Sequence, residues 1–317
     1  MSLSDFRPAP WMRGPHAQTI VSSFLPARAV RGAIETIDVP VAPGTQLRVV
    51  VTRPPGPPRG TLLAIHGLSG SAESGYMRRT AVQAQARGWA VVRINLRNCG
   101  GTEALAATFY NAGQSDDVDA VLRTIEEQGF LRPYALVGFS LGGNIALLYA
   151  GRSGGACRAD AVCGVNPPVD LEACIDAIER PGNRLYHAYF THSLCAQLRR
   201  IRRVRTVPGP VATPRVIGGV RRFDDLFTAP DAGYAGAADY YRGASAAGVL
   251  AGVRRKALIL SSQDDPFVPV SMFEAHRLAS GALQFALPRS GGHCGYWGTP
   301  RPRFWAAEAA LTFFEGD

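Results

Sequence analysis

Lysine is almost missing from this 317-residue chain. Of its 34 basic residues only Lys256 is a lysine, so the formal net charge of +9 is carried by arginine. A basic surface invites nucleic acid as a partner. No recognised nucleic-acid-binding motif accompanies the charge, however, and an Arg-, Ala- and Gly-rich chain often reflects nucleotide bias in the genome. No nucleic-acid partner is expected. Paired cysteines are missing too. The six (Cys99, Cys157, Cys163, Cys174, Cys195, Cys294) are scattered without a C-x-x-C pair. This excludes zinc spacing and makes a disulfide framework implausible at this length. Reduced thiols in a cytoplasmic protein are expected. No stretch approaches ~18 uninterrupted apolar residues, the minimum for a membrane span. The opening "MSLSDFRPAPWMRGPHAQTI" has neither the basic start nor the apolar core of a signal peptide.

What is present is an ordinary globular composition, 46% hydrophobic and 19% charged, in a chain long enough for a substantial core. "AIETIDV" (33–39) and "QLRVVVTRP" (46–54) alternate in polarity around the turn "APGT", which predicts an antiparallel hairpin. Six further segments are short and nearly continuously apolar: 60–67, 89–97, 133–140, 159–167, 256–262 and 283–288. Strands buried on both faces look like this. Amphipathic stretches lie between them, including "SGYMRRTAVQAQARG", "DDVDAVLRTIEEQG" and "LGGNIALLYAG". A capping box, Ser271 with Glu274, predicts a helix over "MFEAHRLAS" ended by Gly281, and "PRFWAAEAALTFFEG" predicts a last helix. Strands alternating with helices predict an α/β fold with a mostly parallel sheet and helices on both faces. Residues 168–250 have helical pieces, the basic "LRRIRRVR" (198–205) and a loop-like "VPGPVATP", but no buried strand. An inserted helical cap on a single domain spanning 1–317 accounts for this better than a second domain.

The strongest chemical signal is "GFSLGG" (138–143), a G-x-S-x-G placed where a buried strand ends and a helix begins without a loop. That is the setting of a nucleophile elbow, with Ser140 as nucleophile. Such a serine needs a base, and an acid to orient that base, in the order Ser, Asp/Glu, His along the chain. "SSQDDPFVP" and "SGGHCGYWG" follow the next two buried strands after the insertion, offering Asp264 or Asp265 and then His293. Both loops lie at carboxyl ends of parallel strands, where open α/β sheets put their sites. The backbone N–H groups of Leu68 and Leu141 are the candidate oxyanion donors. His66 reads as structural, and His16, His187, His192 and His276 are individually uninformative. A hard-ligand metal site from Asp264, Asp265, His293 and His66 would leave Ser140 without a role. No metal and no cofactor are expected.

These motifs together resemble a known family. "PWMRGPHAQTI", "HGLSGSAESGYMRRTAVQAQARGWAVVRINLRNCGG", "GFSLGGN", "RRFDDLFTAP" with "GYAGAADYYRGAS", "DDPFVP" and "GGHCGYW" are similar to the α/β-hydrolase group of the bacterial YheT-like esterases and the plant embryogenesis-associated proteins. The resemblance covers nearly the whole chain. It implies a serine hydrolase of carboxylic esters with Ser140, an aspartate from 264–265 and His293 as triad. It also makes "FDDLF" (223–227) a structural family motif, expected to start a helix or to form an ion pair between cap and core. No counterpart of the eukaryotic relatives' N-terminal membrane anchor is expected here, so membrane-lipid substrates do not carry over with the resemblance.

In this fold's acid loop the acid commonly stands in D-x-x-x-P, which Asp265 with Pro269 fits. Asp265 also precedes Pro266, which biases it to extended backbone. Asp264 is then expected to shape the turn through an Asx-type bond. No His carries an Asp five residues on, as the acyltransferase motif of the wider fold requires, so water is the expected acceptor. The expected partner is a small-molecule ester, lipid esters included. A thioesterase or acyltransferase on the same triad and a non-catalytic binding protein on the same scaffold remain alternatives. So does a peripheral lipase using the basic 198–205 segment on anionic lipid, although a solvated cap helix is the expectation.

Overall fold

Eight strands form one sheet in the order β1-β2-β4-β3-β5-β6-β7-β8, in a computed structural model that describes residues 5–299 and 303–316. The strands are β1 (Ile34–Ala42), β2 (Thr45–Thr52), β3 (Gly60–Ile65), β4 (Trp89–Ile94), β5 (Tyr134–Phe139), β6 (Ala161–Val165), β7 (Lys256–Leu260) and β8 (Leu283–Ala286). The hairpin β1–β2 joins the edge of β4 antiparallel, and every pairing from β4 through β8 is parallel. Successive side chains of a strand point to opposite faces, so an apolar run buries both. Leu63, Ile65, Val92, Leu136, Val162 and Ile259 join one core cluster with α2 (Ser115–Glu127) and α3 (Leu141–Ser153). Leu62, Ala64, Val91, Val137, Cys163 and Leu258 join the other, with α1 (Gly75–Ala86) and a C-terminal helix, Trp305–Glu315. Each fully buried valine, leucine or isoleucine among these stabilises the fold by ~1.5–3 kcal/mol.

Between β6 and β7 the chain leaves the sheet and returns without forming a strand. It builds α4 (Leu171–Glu179), α5 (Arg184–Ile201) and α6 (Ala237–Ala244) with short turns between them. Asn144 on α3, fully buried, fastens this segment to the core. Its Nδ2 donates to the carbonyls of Ala112 and Ala244, and its Oδ1 accepts the Ala246 N–H.

The basic 198–205 segment is not a continuous solvated helix. Helix α5 ends at Ile201, and three of the five arginines bond elsewhere in the chain. Arg199 donates to Ala212 O, Arg202 to Val207 O and Pro210 O, and Arg200 pairs with Glu103. A loop rich in proline leaves carbonyls unpaired, and arginine forks satisfy them. The Ser271–Glu274 capping box does not form either. Pro269 leads a 3-10 turn, Val270–His276, with no side-chain cap, and Phe273 is its one buried side chain. One fully buried side chain, with Val270 and Met272 only partly buried, is too little to hold a longer helix there. The first residue of the expected last helix, Pro302, lies outside the described residues.

Candidate active site

Strand β5 runs straight into α3 at Ser140, whose backbone takes φ 53° and ψ −121°. That conformation is costly for a side chain bearing Cβ, and tight packing on both sides holds it. A Cβ at Gly142 would lie 2.5 Å from the carbonyl oxygens of both Ile65 and His66, and one at Gly138 would overlap the Gly142 backbone. Only glycine fits at either position, and the serine hydroxyl is held clear of the sheet as a result.

Two loops from neighbouring strand ends meet this hydroxyl. Ser140 Oγ lies 2.8 Å from His293 Nε2, and His293 Nδ1 lies 2.7 Å from Asp265 Oδ2. Asp265 is enclosed by donors. Its Oδ1 accepts the N–H groups of Phe267 and Val268, and its Oδ2 also accepts Asn166 Nδ2 at 2.6 Å. Burial pulls the His293 imidazole down, but the adjacent Asp265 carboxylate, with a further contribution from Cys294, more than offsets this and holds its pKa above 6.5. The ring of Phe267 packs against the imidazole with centroids 4.1 Å apart.

The two aspartates thus take different places. Asp264 Oδ1 accepts the Gly292 N–H at 2.8 Å, a tie to the histidine loop rather than the expected local bond. The Asx-type bonds belong to Asp265, because its neighbour Pro266 leaves the next two amides free to fold back on it.

His66 is buried and neutral, with burial lowering its pKa to about 4. Its Nδ1 meets Gly67 O, and its Nε2 accepts the Leu96 N–H, which fixes the loop after β3. In that loop the Tyr76 hydroxyl accepts the Gly67 N–H and the Tyr110 hydroxyl accepts the Ser69 N–H. Among the described residues the Leu68 N–H between them meets no protein acceptor. The Leu141 N–H, at the first position of α3, lies where a helix supplies no acceptor of its own. Leu68 and Leu141 share the lining of a cavity with Ser140. Among the described residues no three His, Cys, Asp or Glu side chains group as a metal site.

The cavity, about 80 Å³, runs from Ser140 up into the inserted segment between Leu171, Ile175, Leu194, Leu198 and Phe223. In "FDDLF" no ion pair forms from either carboxylate among the described residues. Asp225 Oδ1 accepts the Ala237 N–H that starts α6, and Asp224 faces the cavity.

Several supporting residues went unread in the sequence. Asn166, φ 46° and fully buried, ties Asp265 to Gly292 O. It stands at the carboxyl end of β6, which was the available signal. Thr19 Oγ1 accepts the His293 N–H, and Gln18 bonds both the N–H and the carbonyl of Trp297, so the N-terminal arm braces the histidine loop.

A family model described as alpha/beta hydrolase fold matches residues 60–300. A protein of Escherichia coli (strain K12) named "Putative esterase YheT" is 33% identical over 77% of this chain and 73% of its own length. The monoacylglycerol lipase of Saccharomyces cerevisiae is 25% identical over 80% of this chain, which spans 58% of that protein. Among solved structures, the Pyrococcus furiosus esterase Pf2001 superposes with a TM-score of 0.58 at 12% identity, covering 92% of this chain and 98% of that one. At that identity the likeness is one of fold. Among the described residues no helix is long and apolar enough to cross a membrane.

Proposed function

The chain belongs to the alpha/beta hydrolase fold family, and from that membership we infer that it is a serine hydrolase of carboxylic esters acting through an acyl-enzyme. The observation that carries this reading is the continuous hydrogen-bonded run from Ser140 through His293 to Asp265, with the serine on a strained elbow. Ser140 Oγ attacks the ester carbonyl while His293 Nε2 takes its proton. Asp265 keeps the other imidazole proton on Nδ1 and stabilises the imidazolium as it forms. The Leu68 and Leu141 N–H groups receive the oxyanion, each worth ~10²–10³ in kcat. Collapse of the tetrahedral intermediate breaks the C–O bond, and His293 returns the proton to the leaving alcohol. Water then attacks the acyl-Ser140 with His293 as base, which releases the acid and restores the serine.

The apolar cavity suits a hydrocarbon acyl chain, and an esterase and a lipase among the relatives agree with this substrate class. The peripheral-lipase variant loses the continuous basic helix it would use, because α5 ends at Ile201, Arg199 and Arg202 donate to carbonyls of the loop at 207–212, and Arg200 pairs with Glu103 outside the cap. A fluorophosphonate probe should label the folded protein and fail to label Ser140→Ala. Unlabelled wild-type protein would sink the reading in favour of a non-catalytic scaffold.

A further inference from the structure

The cavity above Ser140 is lined mainly by apolar side chains, and one carboxylate, Asp224, is among its lining. Asp224 begins a π-helical turn, Asp224–Thr228, in the segment over the sheet, and turns of this kind are frequent at functional sites. It is 8% exposed and lines the cavity. Its Oδ2 accepts the Tyr241 hydroxyl at 2.7 Å, and Thr228 lines the cavity beside it. Among the described residues it pairs with no Arg, Lys or His within ion-pair distance, and it is the one lining side chain that carries charge at neutral pH. Burial raises its pKa to about 6, against the Tyr241 and Thr228 hydrogen bonds and the more distant Arg221, all of which lower it.

Three other polar groups of the lining bond within the protein. The hydroxyls of Tyr110 and Tyr240 accept the amides of Ser69 and Ala112, and Gln197 donates to Asn98 O. A leucine would fill Asp224's place without the penalty of a buried charge. A carboxylate at this depth is suited to a donor brought by the substrate.

We propose that Asp224 is a specificity subsite, and that the substrate's acyl chain carries a hydrogen-bond donor, a hydroxyl or an ammonium group, that docks on this carboxylate while the ester carbonyl sits at Ser140. The claim rests on the ester-hydrolase reading. The acyl part is assigned to the cavity because the alcohol must leave while the acyl group stays bound to Ser140. Asp224 touches the substrate's far end and takes no part in bond making.

The test uses p-nitrophenyl esters from hexanoate to dodecanoate in three matched series: methyl-terminated, ω-hydroxy and ω-ammonio. Wild-type protein should prefer one donor-bearing series over the methyl series by about tenfold or more in kcat/KM at one chain length. Asp224→Leu should reverse that preference. Asp224→Asn, which still accepts from a hydroxyl, should keep the hydroxy preference and lose the ammonio one. A methyl preference at every length in the wild type, or an unchanged ratio in Asp224→Leu, overturns the proposal. Thermal-shift titration of Ser140→Ala with the matching carboxylic acids reads the subsite without turnover. Stronger stabilisation by the donor-bearing acid, lost when Asp224→Leu is added, supports it, and equal stabilisation overturns it. A binding preference of this kind in a protein that hydrolyses none of the esters would count against the ester reading alone.

Discussion

Replacing Asp265 by asparagine separates the two neighbouring aspartates most sharply. Four N–H donors converge on the Asp265 carboxylate: Phe267 and Val268 amides on Oδ1, His293 Nδ1 and Asn166 Nδ2 on Oδ2. An asparagine must turn its NH₂ toward one of these pairs. Facing the backbone, it would leave two buried amides without acceptors, at ~1–3 kcal/mol each. Facing His293 is the lesser cost, because the imidazole can answer by moving its proton to Nε2. That tautomer can no longer accept the Ser140 proton, and the equivalent change in a serine protease triad costs ~10⁴ in kcat. Asp264 accepts a single bond, from the Gly292 N–H, which an asparagine Oδ1 can also accept. Asp264→Asn should therefore lose less than about tenfold, a ratio near ~10³ between the two variants. Steady-state hydrolysis of a p-nitrophenyl ester, with Ser140→Ala as the blank and thermal unfolding as a check on folding, measures both. The reasoning is refuted if Asp264→Asn is the more damaged, or if Asp265→Asn stays within about tenfold of wild type.

Other consequences follow from the same contacts. Only the neutral His293 ring can take the serine proton, and Asp265 raises its pKa, so kcat/KM should fall as pH drops through a midpoint above 6.5. In Asp265→Asn the residual acid limb should move to lower pH, and an unmoved limb would assign it to another group. Gly142→Ala should destabilise the fold by more than ~3 kcal/mol in urea unfolding, because the new Cβ meets two backbone carbonyls that cannot retreat. Asn144→Ala strips partners from Ala112 O, Ala244 O and Ala246 N. It should cost ~3–5 kcal/mol and speed proteolysis within residues 168–250 ahead of the sheet; equal protection of both regions would refute its fastening role.

The sheet was legible because strands buried on both faces announce themselves as unbroken Val, Ile and Leu runs, and all eight segments became strands within a few residues at their ends. The carboxyl ends of those strands located the loops of Ser140, Asp265 and His293. Long-range bonds were hidden. Nothing local distinguishes Asn166 or Thr19, whose partners Asp265 and His293 lie far along the chain. The same blindness assigned Asp264 a local bond when its partner is Gly292. At Ser271 the capping pattern was present, but without enough buried surface beneath it the helix did not form. The basic 198–205 segment looked like a surface feature because sequence shows charges and not the carbonyls that absorb them. Nothing in the FDDLF motif itself marks Asp224 as a cavity residue; only the folded cap brings it to the lining.

The central claim is that Ser140 carries the acyl group between two half-reactions. Rapid acid quench of the protein with a slowly deacylated p-nitrophenyl ester, followed by peptide mass spectrometry, tests it directly. The account predicts an added acyl mass on the peptide containing Ser140, accumulating with the first burst of p-nitrophenol and absent from Ser140→Ala. Ester turnover that persists in Ser140→Ala with no acylated peptide would contradict it.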